Sequence, residues 1–240
     1  MSGDPQLLEW MRSDWNRRAR EDAYYYVAFA HPDQSTEEFQ STAGLVVPLL
    51  EAELVRLPPG DAASRRALEV GCGPGRLMLP MSRHFAETHG VDVSDEMIRI
   101  ARELLKGVPN AQAHVNNGTD LAVFQDRYFD YVYSYVVFQH IPSKAVVLNY
   151  LREIHRVLKP GGVLCSQFRG SPQDQRPDTW SGCSFNGDEI AGFAASHGFQ
   201  LLAISGEATQ YMLVTLRKAD RSADADVSET NLLAVTASDG

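Results

Sequence analysis

The chain has 240 residues, 44% of them hydrophobic, with 31 acidic side chains against 22 basic ones and a net charge of −9. That length fits one main domain with additions and a sizeable core, and the acidic balance disfavours a nucleic-acid binder, which normally presents a basic patch. No apolar run reaches the roughly 18 residues of a membrane span, the first 20 residues are too charged for a signal peptide, and Cys72, Cys165 and Cys183 form neither a disulfide framework nor a metal-spaced cluster; a reducing cytoplasm is the expected home.

Residues 4–30 read as an amphipathic helix, with Leu7, Leu8, Trp10, Met11 and Trp15 interleaved with Arg12, Arg17, Arg18 and Arg20. Tyr24, Tyr25 and Tyr26 cannot all share one helix face. They either line a cavity as part of a lid, with Tyr25 and Tyr26 as candidate substrate contacts, or seat the helix on the core. Ser35-Thr-Glu-Glu38 fits a capping box that opens a second helix. Gly44 and Pro48 interrupt it, a further helical piece runs to about Leu57, and Pro58-Pro59-Gly60 reads as a linker. Residues 1–60 are therefore expected to form an N-terminal helical cap, and 61–218 the main domain.

Ala67 to Val70 reads as an apolar strand containing one carboxylate, Glu69, followed by glycines at 71, 73 and 75. From Arg76 the pattern becomes helical, with Leu77, Met78, Met81 and Phe85 on one face. A strand turning through glycines into a helix aims backbone N–H groups at whatever lies above it. The dinucleotide fingerprint needs a third small residue where Arg76 stands, and a pyrophosphate would be repelled by Glu69, whereas a cationic ligand would be attracted. The segment Glu69-Val-Gly71-Cys72-Gly73-Pro-Gly75 resembles the cofactor loop of the class I S-adenosylmethionine-dependent methyltransferases, of the small bacterial methyltransferase-domain type.

Thr88 to Val93 is a second strand. Asp92 lies about 20 residues beyond the loop, where an acid accepts hydrogen bonds from ribose hydroxyls. Ser94 caps a helix with Asp95 and Glu96 in its first turn; its Met97 faces either an adenine or the core. Ala111 to Val115 is a third strand, ending in Asn116-Asn-Gly-Thr-Asp120. The resemblance implies that Asn117, Gly118 and Thr119 contact adenine and that the Ser134 carbonyl, at the end of a fourth strand from Phe129, receives a methionine ammonium. With Val93 at the end of the second strand, these complete the expected set of cofactor residues. Ser143 opens a helix with Val146, Val147, Tyr150, Leu151, Ile154, Val157 and Leu158 at helical spacing. Lys159-Pro-Gly-Gly162 turns it into a strand from Val163 to Phe168.

Residues 169–185 are polar around a lone Trp180 and long for a connection; Arg169 and Trp180 are candidate acceptor contacts. A helix from Asn186 or Asp188 ends near Gly198. Strands from Phe199 to Ser205 and Tyr211 to Arg217 follow, and 219–240 reads as a disordered tail. Strands alternating with helices and then a terminal hairpin predict an α/β fold: a Rossmann-like, doubly wound sheet, mostly parallel with one antiparallel strand. The resemblance covers roughly Ala67 to Lys218 and implies seven strands, S-adenosylmethionine as cofactor and methyl transfer. The acidic balance, and the lack of an Asn-Pro-Pro-Tyr or Asp-Pro-Pro-Tyr segment, favour a small-molecule acceptor methylated at O or N. His140, shortly after the fourth strand, is the candidate base; otherwise it holds the Ile141-Pro142 turn. No metal is expected. An NAD-dependent oxidoreductase and a non-catalytic S-adenosylmethionine-binding protein are the alternatives.

Overall fold

The computed structural model describes residues 4–172 and 177–220. In chain order these form α1 (Pro5–Ala28), α2 (Thr36–Ser41), α3 (Val47–Ala52), β1 (Arg66–Val70), α4 (Met78–Met81), β2 (Glu87–Asp92), α5 (Asp95–Leu104), β3 (Ala111–Val115), β4 (Phe129–Ser134), α6 (Lys144–Val157), β5 (Leu158–Phe168), α7 (Gly187–Ser196), β6 (Phe199–Ser205) and β7 (Met212–Lys218). The sheet order is β3-β2-β1-β4-β5-β7-β6. Pairs from β3 through to β5 are parallel, while β7 runs antiparallel to both β5 and β6. The expected seven strands and single reversed strand are both present.

Alternation along the strands sorts the core into two faces. Leu68, Val70, Val132 and Leu164 point to one face and pack with the apolar stripes of α6 and α7. Ala67, Tyr131, Tyr133, Val163 and Cys165 point to the other, where Val46, Val47, Leu50 and Leu57 meet them. Residues 43–57 thus share a core with the sheet, and the Tyr131 hydroxyl donates to the Leu50 carbonyl at 3.0 Å. The Pro58-Pro59-Gly60 segment joins this helical layer to β1.

Three local expectations change. The long first helix is broken at Asp22, whose backbone leaves helical angles; its carboxylate accepts from Tyr25 N and Asp33 N and so caps the next turn. After the glycines, α4 is a single turn followed by a 3₁₀ turn at Ser82–His84, because the chain soon re-enters the sheet beside β1. The Lys159–Gly162 turn is a bulge within β5: Phe129 pairs with Leu158, but Tyr131 pairs with Val163. The capping box at Ser35 and Glu38 forms as expected. The tail reading falls almost wholly on residues 221–240, outside the described residues, as do 173–176 of the polar loop. Among the described residues no helix is long and apolar enough to cross a membrane.

Candidate active site

Parallel pairing brings the carboxyl ends of β1, β2, β3 and β4 to one edge of the sheet. The chain proceeds outward from β1 through β2 to β3, then returns to place β4 on the other side of β1. A crevice opens at such a switch point. Its floor is the glycine loop, where Gly71 N and Cys72 N both donate to the Val91 carbonyl. Gly71 has φ +73°, and a Cβ there would come within 2.3 Å of the Val137 side chain. Both the conformation and the close approach require glycine.

Two carboxylates face the crevice. Asp92, at the end of β2, accepts from Gly73 N and Ser94 N, each at 2.9 Å; enclosure by protein raises its pKa, and these amides partly counter the shift. Glu69 is buried, and one of its carboxylate oxygens has no hydrogen-bond partner among the described residues. Burial pushes its carboxyl up to about 8, opposed by the Arg76 charge and the nearby Tyr133 hydroxyl. Gly71, Cys72, Gly73, Met97 and His140 join these acids around a cavity. A smaller adjoining cavity is bounded by Gly71, Asp92, Val93, Asn116 and Gly118.

The roof is α1. Asn16 accepts from Ser94 Oγ at 2.6 Å and donates to Asp95 at 2.7 Å, and Arg12 donates to the Asn116 carbonyl. Arg18, buried, pairs with Asp14 and donates to the Thr179 carbonyl and hydroxyl. Its guanidinium lies 4.7 Å from the Trp15 ring and 4.8 Å from the Trp180 ring. Helix and polar loop are thereby clamped together over the crevice, with Trp15, Tyr26 and Val27 facing the larger cavity.

Beyond His140 lies a third chamber, which includes Arg169 and Trp180 and shares Arg76, Tyr135 and Val136 with the first. Val136 holds φ +57°, a left-handed conformation that costs a β-branched residue about 1–3 kcal/mol. Gln167 maintains it by accepting from Val136 N at 3.0 Å. The buried His140 ring donates from Nδ1 to the Trp180 carbonyl at 2.6 Å, which leaves Nε2 as the acceptor, 3.3 Å from the Gln139 amide nitrogen. Burial lowers its pKa to about 4, with Trp180 opposing and the Arg18 and Arg169 charges adding to the shift. The ring is therefore neutral at physiological pH.

Some expected site residues lie elsewhere. Asn117 spends its side chain on the turn, bonding Asp120 and Thr119, while its neighbour Asn116 faces the smaller cavity. Thr119 lines none of the three spaces; its carbonyl accepts from Asn149. Gly75 faces Ala101 of α5 and Leu105 just after it. Ser134 ends β4 with its Oγ on the Val70 carbonyl, which engages its side chain and leaves aside the carbonyl expected to receive the ammonium. Tyr25 packs its ring on Tyr26 and Phe29. Trp15, Arg18, Arg76 and the Tyr135–Val137 run were not singled out from the sequence as site residues; Arg76, standing where a glycine was due, was the visible signal. Among the described residues no cluster of three metal-ligating side chains occurs.

Residues 68–166 match the family model of a methyltransferase domain. The chain is similar to a ubiquinone biosynthesis O-methyltransferase of Xanthomonas oryzae pv. oryzae, 34% identical over 105 residues, covering 43% of each protein. It is also similar to a demethylmenaquinone methyltransferase of Staphylococcus saprophyticus, 33% identical over 102 residues, 41% of this chain and 42% of that one. The chain thus spans less than half the length of the curated relatives it matches. Its fold is that of the geranyl diphosphate C-methyltransferase of Streptomyces coelicolor A3(2), with a TM-score of 0.65, 15% identity, and 91% of this chain and 100% of that one covered. Magnesium protoporphyrin IX methyltransferase from Synechocystis PCC 6803, solved with bound S-adenosylhomocysteine, gives 0.61, 16%, 87% and 98%.

Proposed function

We propose that this chain, whose residues 68–166 match the family model of a methyltransferase domain, is a class I S-adenosylmethionine-dependent methyltransferase that moves a methyl group from S-adenosylmethionine to an O or N atom of a small-molecule acceptor. The observation that carries this reading is the buried Glu69, one carboxylate oxygen of which has no hydrogen-bond partner among the described residues, on the lining of a glycine-floored cavity that also holds Asp92. An orphaned acid at that depth fits the cationic end of an adenosyl sulfonium amino acid. Asp92, with lone pairs left beyond its two amide bonds, fits a ribose. Val93, Asn116 and Gly118 would border the base.

Bound there, S-adenosylmethionine supplies an already activated methyl carbon. What remains for the protein is placement, which alone removes at most on the order of 7–11 kcal/mol of barrier. The Arg18 clamp and the aromatic roof exclude water from the crevice. His140 stands between the cavity and the outer chamber as a neutral imidazole with a fixed tautomer. Its Nε2 is the atom that would accept a proton or hydrogen bond from the acceptor, once Gln139 yields it. Its low basicity suits an acceptor that needs little help with deprotonation.

The curated relatives are named for quinone biosynthesis, which supports a small organic acceptor; the net charge of −9 weighs against nucleic acid. All three cysteines are free, as befits a reducing cytoplasm. An NAD-dependent oxidoreductase is disfavoured, because Arg76 occupies the third small position and Glu69 would face a pyrophosphate. The test is transfer of labelled methyl from S-adenosylmethionine to a panel of phenols, catechols and amines. At least one is expected to turn over with equimolar S-adenosylhomocysteine. Tight cofactor binding without turnover on any member would identify a binding protein instead, and binding of NADH alone would restore the oxidoreductase.

A further inference from the structure

We propose that the acceptor is an anionic, ring-bearing small molecule whose acid group is held by Arg169. This rests on the methyltransferase reading and names the acceptor class of that same site. Among the described residues the outer chamber is lined by two arginines, Arg76 and Arg169, and by no aspartate or glutamate, in a chain with 31 acidic residues. Arg76 is already committed: it donates to Thr42 at 3.2 Å and its charge faces Glu69.

Arg169 is not committed among the described residues. Its backbone is fixed, since its carbonyl accepts from Phe185 N at 2.9 Å. Among the described residues its buried Nε has no hydrogen-bond partner, and no ion pair includes it. A guanidinium on the lining of a chamber, engaged by no described side chain, calls for an oxyanion, which it can bind by two parallel hydrogen bonds. The rest of the chamber asks for a flat apolar body. Trp180 and Phe29 meet edge to face at 5.1 Å on one side, and Leu45 and Tyr211 stand exposed on the chamber's lining. Carboxylate and phosphate share the required chemistry, and the probes below separate them.

The experiment is calorimetry on the full chain saturated with S-adenosylhomocysteine, whose own affinity controls for folding. The probes are 3,4-dihydroxybenzoate, the matched neutral amide 3,4-dihydroxybenzamide, and inorganic phosphate. The acid is expected to bind about tenfold or more tighter than the amide, and phosphate weakly. Arg169→Gln is expected to abolish the gap and Arg169→Lys to restore part of it. Equal binding of acid and amide, binding of neither at millimolar concentration, phosphate matching the acid, or a gap that survives Arg169→Gln overturns the proposal. S-adenosylhomocysteine failing to bind wild type overturns the methyltransferase reading itself, so the two failures are distinct.

Discussion

Asp92→Ala is expected to weaken S-adenosylhomocysteine binding about 100-fold or more while the protein stays folded. Each hydrogen bond from a ribose hydroxyl to a carboxylate is worth about 1.5–3 kcal/mol, and the substitution removes the acceptor of both. It also strips Gly73 N and Ser94 N of their 2.9 Å partner, and each orphaned amide costs about 1–3 kcal/mol. The glycine floor should therefore loosen together with the sugar site, and the melting temperature should fall by several degrees. Calorimetry and a circular dichroism melt on the same sample read both effects. Wild-type affinity in a folded variant would remove Asp92 from the cofactor site.

The second large effect concerns protons. Glu69 has its carboxyl pushed up to about 8 by burial, so at pH 7 it is mostly neutral before a ligand arrives. A cation seated beside it favours the carboxylate, and binding should then expel on the order of one proton per S-adenosylmethionine at pH 7. Affinity should rise with pH up to about 8, where the carboxyl is already ionised, and level off beyond. Titrations at pH 7 in phosphate and in Tris, whose ionisation heats differ, measure the released proton directly. Glu69→Gln is expected to abolish the release and weaken binding by about 10- to 100-fold. Proton release that persists in that variant would transfer the effect to another group.

The same shift carries a stability consequence with a definite sign. A carboxyl whose folded pKa lies above its unfolded value of 4.5 keeps its contribution below that value and loses it as pH rises through about 8. The unliganded protein is thus weakened by Glu69 across the pH range in which the cofactor binds best. Cofactor binding then stabilises the fold by mass action.

How much of this was written in the sequence depended on whether a feature is local. The third and fourth strands keep their expected limits because turn-forming residues flank alternating apolar ones. The capping residues Ser35, Ser94, Ser143 and Asn186 act as caps, since a cap needs only its own next turn. Long-range choices were not legible. The helical piece running to about Leu57 is visible in the sequence, but nothing local says that its Val47 and Leu50 meet Tyr131 and Val163. Arg18 looked like one more exposed arginine until α1 brought it against Thr179, far along the chain. Adjacent asparagines cannot be told apart by pattern; Gly118, at φ +84°, belongs to the turn in which Asn116 faces the cavity and Asn117 binds Asp120. The third glycine of the loop, Gly75, serves packing on α5, so the motif signalled a cofactor loop without assigning each member a contact.

Both acids and the glycine floor serve one claim, that this crevice holds an adenosyl amino acid with its cationic end on Glu69 and its sugar on Asp92. The direct test is a crystal structure of the chain with S-adenosylhomocysteine. The expected result is the ligand lying across Gly71 and Gly73, ribose hydroxyls on the Asp92 carboxylate and the ammonium toward Glu69, with its sulfur opening toward His140 and the outer chamber. Ligand bound elsewhere, or a crevice left empty at saturating ligand, would contradict it.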